Sequence, residues 1–189
     1  MTNQELFNKA QMEYIDLGEY IKKLCNTTNN KEKEKNVLSS LDIMLQLMLM
    51  YLAVSNLSVP DSELKFIKLL TVESDVVKMY NKAFDKNVSW ADLSEENMDP
   101  SVLKEFIDKT YLIYKKDLDL FISFLAASDS KTEENDLAYI EERIRNILVI
   151  FTSLNNETDL RFIDFIMEEV FLKKYKSLKN IFKSIDIKL

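Results

Sequence analysis

Three observations predict an all-α fold, a single domain of about seven to eight helices. Glycine occurs once (Gly18) and proline twice (Pro60, Pro100) in 189 residues, whereas sheet proteins need many tight turns built from residues that tolerate positive φ. Apolar residues recur at spacings of three and four through most of the chain, the period of a one-faced helix. Finally, Leu45 to Ile67 is repeated without a gap 73 residues later, as Leu118 to Ile140. Seven of the 23 aligned positions are identical, among them Leu45/Leu118, Leu52/Leu125, Ala53/Ala126 and Leu64/Leu137. Each copy reads as an apolar helix end, a polar elbow and a new helix opening on acids. The expected organisation is one helical domain, 1–189, with repeat halves at about 36–84 and 100–152, a linker at 85–99 and a basic C-terminal helix at 160–189.

The first helix is expected over Gln4 to Cys25, where Leu6, Phe7, Ala10, Tyr14, Leu17, Ile21 and Leu24 form one apolar face. Gly18 falls inside it and lowers its helix propensity. After the polar break Asn26–Asn30, the alternating run KEKEK is a solvated helix start rather than a binding patch. Asn36 to Ser55 is the first core helix. It is greasy on most of its circumference, so other helices should surround it, and its methionines read as gap-filling core residues. Its most apolar run, Ile43 to Val54, is 12 residues and too short to span a bilayer.

Beyond the first elbow, Pro60 with Asp61 and Glu63 marks a helix start where acids suit the dipole. Ser74 and Asp75 read as the cap of a short helix through Tyr80 and Phe84. Lys86 to Asp99 lacks sustained periodicity and reads as a linker, with Trp90 and Leu93 as anchors onto the core. Asp99-Pro100 opens the second core helix, which runs to about Ala127. A helix carrying Tyr139, Ile144, Ile147 and Phe151 follows the second elbow. The last helix starts at Leu160 and reaches at least Phe171. From Lys173 to Leu189, six lysines stand against one acid. A basic amphipathic helix of this kind can lie on a membrane; packing on the acidic body is the preferred reading.

Composition excludes more chemistry than it suggests. No histidine is present, which removes imidazole catalysis and most zinc sites. The lone Cys25 permits neither an intramolecular disulfide nor a thiolate cluster. A single glycine cannot build a phosphate-cradling loop. With no signal-like N-terminal stretch, a cytoplasmic protein is expected. The net charge of −7 disfavours nucleic acid and suits a protein partner with a basic surface.

Both elbows place a polar residue seven positions before an acid: Asn56…Glu63 and Asp129…Asp136. Oxygen ligands gathered at helix ends suit Mg²⁺ or Ca²⁺; the competing reading is that acids near a helix start serve the dipole. The segments Ser55-Asn56-Leu57-Ser58-Val59-Pro60-Asp61-Ser62-Glu63 and Ser128-Asp129-Ser130-Lys131-Thr132-Glu133-Glu134-Asn135-Asp136 resemble the elbows of the tellurite-resistance TerB-like family, A-D-G-x-[IV]-[ST]-x-x-E. Leu57 and Ser130 stand where the family has glycine. The resemblance implies an all-helical domain over roughly Leu41 to Ile144, with roles in metal binding or as an adaptor. It would place metal ligands at Asp129, Asp136 and Glu63, with Asn56 at the remaining elbow position.

The function expected from all this is a non-enzymatic acidic interaction or adaptor protein, TerB-like, without a cofactor. Trp90, Asp92, Glu95, Glu96, Glu133 and Glu134 are its candidate partner-binding residues. Two alternatives stand beside it. One is a divalent-cation binder, or carboxylate-dependent metalloenzyme, using the elbow residues with Mg or Ca; the other is a small acidic inhibitor or immunity protein that blocks a basic enzyme site.

Overall fold

The protein is described by a computed structural model covering residues 1–26, 29–55, 73–95, 99–127, 133–153 and 160–186. Among these residues every regular element is helical. In chain order they are α1 (Asn3–Cys25), α2 (Lys31–Ser55), α3 (Glu73–Phe84), α4 (Trp90–Glu95), α5 (Pro100–Ala126), α6 (Glu133–Ser153), α7 (Leu160–Ile166) and α8 (Lys173–Asp186). A π-helical stretch, Met167–Leu172, joins α7 to α8 with no break in helical backbone.

Local chemistry explains most of the helix starts. Thr2 accepts the Glu5 N–H and Glu5 returns a bond to the Thr2 N–H, a capping box that opens α1. The Asn30 side chain accepts from the Glu32 and Lys33 N–H groups, so α2 starts at Lys31, five residues before the Asn36 expected for the core helix. Asp99 caps α5 through the Ser101 and Val102 N–H groups, and Pro100 occupies the first turn, where a missing donor costs nothing.

Two expectations are corrected here. Ser74 and Asp75 do not precede α3 but lie in its first turn, since the helix already begins at Glu73. The span 85–99 is not all linker. Ser89 and Asp92 form a reciprocal cap (Ser89 N–H to Asp92 Oδ2, 2.8 Å; Asp92 N–H to Ser89 Oγ, 3.2 Å) that nucleates α4. Ahead of it, Asp85 adopts a positive φ of 50° and Lys86 N–H reaches back to Asn81 O, ending α3 as a Schellman turn. The Asn81 amide then pairs with both backbone groups of Val88 at 3.0 Å, and α4 folds back with Leu93 fully buried.

The apolar core is organised around α2, which packs on α1, α5, α6, α7 and the π stretch. By length and composition alone α2 qualifies as long and apolar enough to cross a membrane, but most of its apolar window is buried inside the protein. Helix α5 lies directly against it, and two buried polar contacts fix the pair. Ser40 bonds both to the Asp117 carbonyl and, at 2.9 Å, to the Phe121 N–H. Tyr51 meets Thr110, whose hydroxyl donates to the Phe106 carbonyl at 2.7 Å. Tyr51 and Tyr80 add edge-on contacts to Phe106, which ties α3 into the same cluster.

The repeat can be followed as far as the helix ends. Leu45/Leu118, Met48/Phe121, Leu49/Ile122, Leu52/Leu125 and Ala53/Ala126 are buried in both copies. Leu47 is buried beside α3 and α5 whereas its counterpart Leu120 is 41% exposed, so the two copies diverge at this position. Both elbows lie outside the described residues.

The last helix extends past Phe171 to Asp186, its π stretch marked by a Lys173 N–H bonded five residues back to Glu168 O. Its basic end packs on the body: Tyr175 is buried, and the Lys179 ammonium caps α5 at the Ala126 carbonyl, 3.1 Å away.

Candidate functional site

Of the four elbow residues, Asn56, Glu63 and Asp129 fall outside the described residues. Asp136 lies in the first turn of α6, half-buried, where its carboxylate accepts the Tyr20 hydroxyl. Burial, then that carboxylate, push the Tyr20 phenol up to about 12. Among the described residues no three carboxylate or cysteine side chains gather closely enough to share an ion.

The Tyr20–Asp136 contact belongs to a polar seam between α1 and α6. Tyr20 stacks on Tyr139 with ring centroids 4.3 Å apart, and the Arg143 guanidinium lies 4.7 Å from the Tyr139 ring centroid. Arg143 donates to Glu13 Oε2 at 2.7 Å, and Asn146 donates to Glu13 Oε1 at 3.3 Å. Glu13 is only 8% exposed, so its charge depends on these partners. The seam was not legible in the sequence, because its members lie some 130 positions apart and no short motif joins them.

The expected partner-binding residues divide between structural and exposed roles. Trp90 opens α4 and packs half-buried against the core. Asp92 is exposed, yet its carboxylate is occupied by Ser89, whose N–H and hydroxyl hold it below the usual carboxylate range. Glu95 ends α4, and Glu133 and Glu134 open α6; Glu96 lies outside the described residues.

A cluster missed in the sequence joins α5, the π stretch and α8. The Lys174 ammonium lies 3.5 Å from the centroid of the Tyr111 ring, a cation–π contact. Desolvation lowers its pKa to about 8, opposed by the nearby charges of Asp108, Asp119 and Glu169. Tyr111 donates to Asp119 at 2.6 Å, while Glu169 pairs with Lys104 at 3.3 Å and Lys173 at 3.5 Å.

Surface cavities include two lined by described residues. One, of about 390 Å³, lies between α2, α3 and α5 and is lined by Ile43, Gln46, Leu47, Met50, Lys78, Met79, Lys82 and Tyr114. The other, of about 360 Å³, is lined by Pro100, Arg161, Phe162 and Phe165. Neither has a carboxylate among its described lining residues.

Comparison with known proteins yields no matching family model, no matching curated protein and no matching solved structure.

Proposed function

We propose that the chain is a non-catalytic helical interaction protein, TerB-like in the grammar of its elbows, whose acidic surface engages a protein partner with a basic surface. The division of charge carries this reading. On the lysine-rich α8, Lys174 lies among Asp108, Asp119 and Glu169 and Lys179 caps α5, whereas Lys173, Lys176 and Lys183 stay exposed, so part of its positive charge is offset within the fold. Asp16, Asp85, Asp92 and Glu142 face solvent on a chain of net charge −7. Acidic fields of this kind steer basic partners and select against anionic ones.

Capture from native lysate, followed by identification and reconstitution of the partner, tests the reading. A Glu133→Gln/Glu134→Gln chain should retain clearly less of it than the natural chain; equal retention would count against the acidic surface. Calorimetry with Mg²⁺ and Ca²⁺ separates this function from cation binding at Asn56, Glu63, Asp129 and Asp136. Saturable heat that disappears in Asp129→Ala/Asp136→Ala would favour the metal instead.

A further inference from the structure

We propose that the groove between α2, α3 and α5 binds a single-chain amphiphile with a carboxylate head, a medium-chain fatty acid in chemical class. At about 390 Å³ it falls within the ~300–1,000 Å³ span of small-ligand pockets. Its floor is apolar, made by Ile43, Leu47, Met50 and Met79. The two methionines give that floor a surface that adapts to a flexible chain.

The remaining lining supplies a head-group site. Lys78 and Lys82 lie one helical turn apart on α3, both exposed. Some exposed lysines, such as Lys22, Lys104 and Lys115, have a carboxylate within 4 Å, and others, such as Lys9 and Lys116, have none among the described residues. Lys78 and Lys82 have no such carboxylate among the described residues, and the Tyr114 hydroxyl has no hydrogen-bond partner there. Like charges four apart on a helix repel, and an anion seated between them removes that repulsion. A neutral apolar ligand would gain nothing from the two ammonium groups at the rim. A bare phosphate would leave the floor open to water. An anionic head on an apolar chain satisfies both.

The test is calorimetry on the full chain with decanoate below its micelle concentration, beside decanol and butyrate, and with an acidic amphipathic peptide as a rival occupant. Decanoate should bind saturably at one site, with decanol and butyrate each at least about tenfold weaker. Lys78→Gln/Lys82→Gln should weaken decanoate by about tenfold or more with unchanged helical circular dichroism, and Tyr114→Phe by a few-fold. Decanol binding as tightly as decanoate, full affinity in the double variant, or saturable binding of the peptide but not of decanoate would each overturn the assignment. The protein partner is tested separately through Glu133→Gln/Glu134→Gln, in α6, whereas the groove is formed by α2, α3 and α5.

Discussion

The Ser40 hydroxyl accepts the Phe121 N–H at 2.9 Å while also bonding the Asp117 carbonyl, the two groups that one turn of an unbroken α-helix would pair with each other. A side chain of α2 thus enters the hydrogen-bond ladder of α5, at a site where Ser40 is 2% exposed. Ser40→Ala should cost only about 1 kcal/mol, because the freed backbone groups can pair with each other. Ser40→Leu should cost more, about 2–3 kcal/mol, since it places a larger side chain at a position that is 2% exposed. Urea unfolding of the two variants measures the order, and equal costs would contradict the insertion.

Glu13 and Arg143 form a half-buried ion pair between α1 and α6, with Asn146 as a further partner of the carboxylate. Arg143→Leu should destabilise by about 2 kcal/mol, below the full cost of breaking a wholly buried pair because Asn146 remains. Glu13→Leu/Arg143→Leu should recover part of that loss, since no unpaired charge is left behind. Simple additivity in a denaturant cycle would show that the two charges do not depend on each other.

Gly18 lies in the middle of α1, its backbone has no positive φ, and a Cβ added there meets nothing within 4 Å. Gly18→Ala should therefore stabilise the protein by about 1 kcal/mol. Thermal unfolding should show a midpoint about 2–4 °C higher. An unchanged or lower midpoint would mean that α1 needs the glycine.

Lys174 and Tyr20 predict opposite pH trends. The folded pKa of Lys174, about 8, lies below its ordinary 10.5, so between those values the unfolded chain binds more protons and stability rises with pH. Tyr20 is shifted up from 10.0 to about 12, so the unfolded chain loses its proton first and stability falls across that interval. Lys174 should add a rising contribution between about pH 8 and 10, set against falling contributions from the raised Cys25 thiol and, above 10, the raised Tyr20 phenol. The stability difference between the natural chain and Lys174→Met, read by urea midpoints, should therefore shift in favour of the natural chain as pH rises from about 8 to 10. A difference that stays constant across that interval would contradict the lowered Lys174 ammonium.

Local chemistry made much of the fold legible. Asp99-Pro100 marks the start of α5 because cap, proline and first turn lie within four residues. The shared pattern of the two copies located core positions such as Leu52 and Leu125, but not the contrast between Leu47 and Leu120, which depends on what surrounds each helix. The π stretch was not legible, since apolar spacing does not reveal a bond reaching five residues back from Lys173. Of the candidate site, Trp90 and Leu93 were correctly read as anchors, while the capping role of Asp92 requires Ser89 to be placed in space. The Lys174 cluster and the groove at Lys78 and Lys82 arise from three helices meeting, and periodicity along one helix carries no sign of that.

The proposal that an acidic helical surface holds a basic partner is tested most directly by the dissociation constant of the reconstituted complex as a function of ionic strength. Raising salt from about 0.05 to 0.5 M shortens the screening length severalfold. The affinity should then fall by about tenfold or more, mainly through slower association, and Glu133→Gln/Glu134→Gln should flatten that dependence. An affinity indifferent to salt, in the natural chain as in the neutralised one, would contradict the account.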